Sequence, residues 1–119
     1  MADYVDGYVV PVPRKNLAAY RRMAQKAGKV WMDHGALEYR EFVADDVKPG
    51  KVTSFPQAVK LKEGEIVIFA WVIYKSRKHR DAVNAQVMKD PRMAHDHSEG
   101  RLFDGMRVFY GGFKPLVTL

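Results

Sequence analysis

The amino-acid sequence predicts an α+β fold of the ferredoxin-like class, with four antiparallel strands and two helices in the order β-α-β-β-α-β. Three observations support this fold. Apolar residues recur at helical spacing in residues 14–34, an unbroken apolar run fills residues 66–74, and a second helical segment follows Ser76. The chain has 119 residues, 47% of them hydrophobic, which is enough for one compact core. We therefore expect a single domain over residues 1–119.

The first part of the chain predicts a strand, a helix and a second strand. Residues 4–12 are rich in Tyr and Val and end at two prolines, which is typical of a strand. Residues 14–34 form an amphipathic helix that Gly35 ends, because their apolar positions recur every three or four residues: Leu17, Tyr20, Ala24, Ala27 and Trp31. Residues 36–44 mix apolar and charged side chains, as in a strand with one partly polar face.

The remaining elements follow a long connection. Residues 45–64 contain Pro49-Gly50 and Phe55-Pro56 without a sustained period, so we expect a loop with room for one short helix. Residues 66–74 lack polar alternation and indicate a central strand covered on both faces. Ser76 is a good N-cap for a helix that continues through Met88 and ends before Pro91. Residues 106–113 predict the fourth strand.

The third strand also predicts how the chain assembles. Its apolar residues occupy both parities, so both faces of the sheet are apolar there, whereas helices cover only one face in this fold. An uncovered apolar face of that size is larger than a soluble monomer normally exposes. We therefore expect a homodimer in which two sheets face each other and close an α/β barrel.

Composition limits the classes of partner. The chain has 20 Lys+Arg, 14 Asp+Glu and no cysteine, so it carries a formal charge of +6 and has no thiol chemistry. Its basic residues cluster without interleaved aromatic residues, so we do not expect nucleic-acid binding. The N-terminus has acids where a signal peptide has bases, and residues 66–74 fall short of the roughly 20 apolar residues that cross a bilayer. We expect a cytoplasmic protein without membrane contact.

Three stretches carry a resemblance to a known family. They read YVDGYVVPVPRKNLAAYRRMAQKAGKVWMDHGALEYREFVADDVKPGKVTSFPQAVK, SRKHRDAVNAQVMKDPRM and FDGMRVFYGGF. Together they resemble the DUF1428 family of small bacterial proteins over almost the whole chain. That family is placed in the dimeric α/β barrel superfamily, beside antibiotic-biosynthesis monooxygenases and heme-degrading enzymes. The resemblance implies a ligand cavity between the sheet and the helices of each subunit.

A cavity of that kind predicts the residues that line it. His79 lies four residues before Val83 and eight before Val87, so it shares their helix face and is expected to point inward as the best catalytic candidate. The other candidates are strand residues and one arginine that could steady a developing negative charge: Tyr8, Trp71, Tyr74, Tyr110 and Arg107. Each of these aromatic residues and His79 could instead be an ordinary core residue.

The cofactor expectation comes from the same resemblance. The heme-degrading relatives resemble one another in a Trp-x-Ser at the end of the third strand and in a histidine further along the next helix. The corresponding residues here are Tyr74-Lys75-Ser76, and His79 lies in the first turn of that helix. Both features depart from the pattern, so we expect no heme and no other cofactor.

Two further groups of polar residues have competing interpretations. His95-Asp96-His97 could chelate a metal in strand geometry, but Pro91 and Gly100 bound this segment and no third ligand is evident. We therefore expect a solvated loop and no metal site. The charged residues within strand patterns either form cross-strand ion pairs or anchor a polar ligand: Asp6, Glu38, Arg40, Asp104 and Arg107.

Two hypotheses of function remain open at this point. The first is a small-molecule-binding enzyme of monooxygenase-like type, with a helix–sheet cavity in each subunit. The second is a non-enzymatic dimeric module for binding or stress response, because the same fold supports many functions. A ligand-sized cavity that opens beside His79 would favour the first hypothesis, and a filled interior would favour the second.

Overall fold

A computed structural model describes residues 3–93 and 102–119 of the chain. Its regular elements follow the predicted order and comprise β1 (Tyr4–Pro13), α1 (Leu17–Asp33), β2 (Glu38–Val43), α2 (Phe55–Ala58), β3 (Glu65–Tyr74), α3 (Arg77–Lys89) and β4 (Phe109–Phe113). The short α2 lies within the long connection, as the sequence allows. Short 3-10 turns occupy Arg14–Asn16, Pro91–Met93 and Gly105–Arg107.

The four strands form one antiparallel sheet in the order β2-β3-β1-β4. This is the strand order of the ferredoxin-like α+β fold, so the predicted fold class is confirmed. Tyr8 of β1 lies opposite Ala70 of β3 and Tyr110 of β4, and these three residues therefore point to the same side of the sheet. We call this side, against which α1 and α3 pack, the helix face, and the opposite side the outer face.

The hydrophobic core lies between the helix face and the two long helices. Val72 and Tyr74 of β3 pack with Val83 and Val87 of α3, and all four are at most 2% exposed. A second cluster joins Val10, Val12 and Ile68 of the sheet to Tyr20 and Ala24 of α1. Burial of these side chains supplies the main driving force that holds the helices on the sheet.

Local hydrogen bonds set the ends of the helices. The Ser76 side chain accepts the backbone N–H of His79, which confirms Ser76 as the N-cap of α3. At the end of α1, Gly35 has a φ of 109°, and the N–H of Ala36 donates to the carbonyl of Trp31. Because this turn uses residues 35–36, β2 begins at Glu38 and not at Ala36 as predicted.

The fourth strand is shorter than predicted, because residues 105–107 form a 3-10 turn in place of strand. The Asp104 carboxylate accepts the N–H of Met106, and the Arg107 guanidinium binds both Asp104 and Glu65. These contacts hold the chain in a turn before β4 begins at Phe109. Arg14 to Asn16 likewise form a 3-10 turn, so α1 begins at Leu17 and not at Arg14.

The outer face is covered only in part. Val59 and Leu61 of the long connection pack on Val9 and Val67 and bury both valines. Other outer-face residues stay open to solvent, with exposed fractions of 37% for Phe42, 41% for Phe69, 44% for Phe109 and 62% for Phe113. Within the described residues, no helix is both long and apolar enough to cross a membrane.

The packing around Gly112 on the helix face predicts that Gly112→Ala destabilises the fold. A Cβ at this position would overlap with the Tyr4 hydroxyl and the Arg80 guanidinium, which lie over β4. We expect the substitution to lower the free energy of unfolding by about 1–3 kcal/mol, since both side chains must move, and urea denaturation would measure the loss. Gly105→Ala is the control, because a Cβ there meets nothing within 4 Å. Equal stability of the two variants would contradict the prediction.

Candidate ligand-binding site

A cleft of about 650 Å³ lies between α1 and the edge strand β2. Its size suits a small organic ligand. Both the helix wall and the strand wall of the cleft are mainly apolar. The cleft is lined by Leu17, Tyr20, Arg21, Ala24, Gln25, Gly28, Met32, Tyr39, Glu41, Phe42, Val43 and Ile68. The cleft lies where β2 forms the edge of the sheet, so that no further strand of the described residues fills the space beside α1.

Gly28 brings the strand wall close to the helix. A Cβ on Gly28 would lie only 2.6 Å from Cδ1 of Tyr39, so only glycine lets the Tyr39 ring pack directly on α1. Glycine inside a helix costs about 1 kcal/mol relative to alanine, so this close approach is the structural reason for a residue that otherwise weakens α1. Tyr39 is thereby fixed as part of the cleft.

Two tyrosine hydroxyls hold the carboxylate of Glu41 in the cleft. Tyr20 of α1 donates to Oε1 and Tyr39 of β2 donates to Oε2, each at 2.5 Å. Tyr39 and Glu41 are two residues apart in β2 and so share one face of the strand. Burial, reinforced by the negative charge of Glu41, raises the pKa of Tyr39 far above its usual range, which keeps its hydroxyl protonated as a donor. The remaining lone pairs of Glu41 can accept hydrogen bonds from a ligand.

The structure brings four of the six predicted lining residues to the helix face, but none of the six lines this cleft. Tyr8 stacks on Tyr110 with ring centroids 5.4 Å apart, and burial raises the pKa of Tyr8 to about 12. Tyr74 is fully buried and donates to Asn84, and it accepts a hydrogen bond from Trp31. These contacts make Tyr74 part of the packed interior.

His79 is engaged at the start of α3. Its Nδ1 accepts the backbone N–H of Lys75 at 2.9 Å, and its ring packs edge-on against Tyr74 at a centroid distance of 6.0 Å. Its Nε2 lies close to Gly35, at 3.5 Å from the point where a larger residue there would have its Cβ. His79 therefore helps to cap the helix, and the cleft between α1 and β2 does not include it.

Trp71 and Arg107 lie away from the helix-face residues. Trp71 is on the outer face, since β-strand side chains alternate and Tyr74 points to the helices, and its Nε1 donates to Glu38 at 2.7 Å. Arg107 donates two hydrogen bonds to Glu65, at 2.7 and 2.6 Å, and one to Asp104 at 2.8 Å. Arg107 thus ties the turn before β4 to the start of β3.

A buried carboxylate forms a second polar cluster on the helix face. Asp6 of β1 is 4% exposed and its Oδ1 lies 3.4 Å from Nε of Arg80. Burial raises the pKa of Asp6, and the Arg80 charge opposes this rise only in part. Arg80 also donates to Tyr4 at 3.0 Å. The charged residues that the sequence places in strands thus pair mainly with residues of other elements.

The sequence interpretation missed the central group of the cleft. The sequence pattern places Tyr20 on the apolar face of the first helix, and Tyr39 and Glu41 in a partly polar strand. Two signals were present in the sequence: a glycine at position 28 inside a helical pattern, and a tyrosine and a glutamate at positions 39 and 41 on one strand face. Only the packing of α1 on β2 joins them.

The predicted loop His95-Asp96-His97 lies outside the described residues. Within residues 3–93 and 102–119, no group of three His, Asp or Glu side chains is arranged to hold a metal ion.

The strand order and the two helices on one face define a ferredoxin-like α+β protein. The chain belongs to the DUF1428 family, described as protein of unknown function, whose model matches residues 3–105. This confirms the family that the sequence resembles.

Two proteins are similar to this chain over nearly its whole length, and one solved structure shares its fold. The chain is 48% identical over 114 residues to "Uncharacterized protein YbaA" of Escherichia coli (strain K12), which covers 96% of this chain and 97% of that protein. The protein of the same description in Shigella flexneri has the same identity and coverage. A crystal structure described as a dimeric ferredoxin-like protein from an uncultured marine organism matches with a TM-score of 0.61 at 10% identity, over 100% of this chain and 98% of that one. At that identity the match supports the fold alone.

The raised pKa of Asp6 predicts how Asp6→Asn changes the pH dependence of stability. A folded-state pKa above the unfolded value gives stability that is present at acid pH and is lost as pH rises through the folded pKa. The stability of Asp6→Asn relative to the unsubstituted chain should therefore increase as pH rises above the usual carboxyl value of 3.8. Urea denaturation from about pH 4 to pH 8 would measure this change.

Asp81→Asn is the matched control, because the Asp81 side chain also faces Arg80 but is 56% exposed. Its stability relative to the unsubstituted chain should change less with pH than that of Asp6→Asn, because water surrounds most of the Asp81 side chain. A difference for Asp6→Asn that is constant with pH, or that falls as pH rises, would contradict the prediction.

Proposed function

We propose that the chain acts as a homodimer and binds a small organic molecule in the cleft between α1 and β2. The observation that carries the binding proposal is an apolar cleft of about 650 Å³ with an ordered carboxylate, Glu41, held by two tyrosine hydroxyls. An apolar cavity with a few well-placed polar groups is the usual form of a ligand site. The proposed function belongs to the small-molecule-binding class expected from the sequence, but the proposed site uses other residues than the expected ones.

Binding is better supported than a specific reaction. His79, the catalytic candidate from sequence, has Nδ1 occupied by the Lys75 N–H and does not line the cleft. Each oxygen of Glu41 accepts one hydrogen bond from a tyrosine hydroxyl, which fixes the carboxylate, and the remaining lone pairs can accept a hydrogen bond from a ligand. A monooxygenase-like reaction would have to use Glu41 and its tyrosines in the role that was assigned to His79.

The outer face supports the homodimer. Phe42, Phe69 and Trp71 form a continuous aromatic cluster there, with ring centroids 4.8 Å apart for Phe42–Trp71 and 5.7 Å apart for Phe69–Trp71. Gly7 and Gly111 lie side by side on the same face and leave a flat region where a second sheet can approach. Such a surface favours association, because covering it removes apolar area from water. The related marine structure is itself described as dimeric.

A neutral apolar dye tests the cleft. N-phenylnaphthylamine should bind saturably with enhanced fluorescence, and Gln25→Trp should abolish most of this signal, because residue 25 lines the cleft and an indole there occupies its volume. Gln86→Trp places the same side chain at an exposed position of α3, outside the cleft, and should leave binding unchanged. Equal binding by the two variants would argue against the α1–β2 site.

A charge on the outer face tests the dimer. We expect the unsubstituted chain to sediment at twice the mass of one chain, and Phe69→Glu to sediment as a monomer, because a carboxylate would be buried between two sheets without a partner. Met88→Glu is the control, since Met88 is 66% exposed on α3 in the helix layer. Analytical ultracentrifugation would distinguish them. A monomeric unsubstituted chain, or a dimeric Phe69→Glu variant, would refute the proposed interface.

A further inference from the structure

The helix wall of the cleft carries charge of one sign. No acidic residue occurs between Arg14 and Met32, whereas this stretch holds six basic residues: Arg14, Lys15, Arg21, Arg22, Lys26 and Lys29. This number equals the formal charge of +6 of the whole chain, so the remaining acidic and basic residues cancel. Four of the six lie on α1 and two in the turn before it, so this stretch holds an excess of positive charge equal to that of the whole chain, and its field attracts anions toward the cleft.

One of these basic residues lines the cleft itself. Arg21 is an exposed residue of α1 at the cleft, where Gln25 follows it one helical turn later. Arg21 makes no ion pair with any residue in the ranges 3–93 and 102–119. Its guanidinium is thus available to bind a carboxylate, sulfonate or phosphate group, for which its planar set of donors is well suited.

The opposite wall carries a negative charge. Glu41 lies on β2, and its position is set by the hydrogen bonds from Tyr20 and Tyr39. The lining residues Leu17, Ala24 and Ile68 add apolar surface to the same cleft. The cleft therefore combines a cationic group on the helix, an anionic group on the strand, and an apolar surface.

We infer that the cleft binds an apolar organic anion, with its acidic group on Arg21 and its apolar body between α1 and β2. This inference rests on the proposed function, because it names the ligand class of the same site. Glu41 sets the orientation, since its charge repels the acidic group and its free lone pairs accept a donor from the ligand body. Glu41 would attract an organic cation, but the positive residues of α1 would repel that cation as it approached the cleft.

Two dyes that differ by a single acidic group provide the test. Anilinonaphthalene sulfonate has the ring system and the secondary amine of N-phenylnaphthylamine and adds one sulfonate. Fluorescence titration of the full chain should give a dissociation constant about tenfold lower for the sulfonate dye than for the neutral dye. One charge-assisted hydrogen bond between the sulfonate and Arg21 accounts for a difference of about this size. Arg21→Gln should remove this preference, so that the dissociation constants of the two dyes then differ by less than about twofold.

Arg22→Gln is the matched control. It removes the same charge from the adjacent exposed position of α1, which does not line the cleft, and it should retain the preference for the sulfonate dye. Circular dichroism should report the same folded state for both variants, because each side chain is exposed on the helix.

The outcomes distinguish failure of the inference from failure of the proposed function. Equal affinity of the unsubstituted chain for the two dyes, with the neutral dye still sensitive to Gln25→Trp, would overturn the anion inference and leave the binding site intact. Equal loss in Arg21→Gln and Arg22→Gln would also overturn it, because the preference would then reflect the general field of α1. Failure of both dyes to bind saturably would overturn both proposals.

Discussion

The central strand β3 imposes the constraint on which the rest of the structure depends. It pairs with β1 on one side and β2 on the other, and its side chains are apolar on both faces of the sheet. The two long helices satisfy this constraint on the helix face, where Val72 and Tyr74 are buried. Among the β3 residues of the outer face only Val67 is buried by the long connection, and the exposed Phe69 marks where that cover ends. The proposed dimer follows from this imbalance, since apolar surface without a cover favours association.

The edge strand β2 links the proposed binding site with the proposed interface. One side of this strand faces the cleft with Tyr39 and Glu41. On its other side, Phe42 packs against Trp71 on the outer face. Phe42 and Val43 line both the cleft and a smaller outer recess of about 200 Å³. A second copy placed on the outer face would therefore touch the strand that forms the cleft wall. Ligand binding and dimer assembly would then both depend on the position of β2, and a displacement of this strand would affect each of them.

Much of the fold could be predicted from sequence because its signals are local. The spacing of apolar residues in α1, the two-sided apolar pattern of β3 and the Ser76 cap each act within a few residues, and each predicted the element that the structure contains. Errors occurred at element ends, where local turns replace the first residues of β2 and α1 and where a distant partner decides the start of β4. Residues 105–107 form a turn because Arg107 reaches Glu65, 42 residues away in the chain, and no local pattern reports such a contact.

The candidate site shows the same division. The sequence by itself determined the element order, the apolar character of both sheet faces, the positive charge of α1 and the membership of a family, because these properties depend on residue type and spacing alone. Only the tertiary structure decided that Tyr20 and Tyr39 meet at Glu41, that Trp71 turns away from Tyr74, and that His79 serves as part of a helix cap. The reason is physical: a site is formed where separate elements pack, and the close approach of α1 to β2 at Gly28 is a property of that packing.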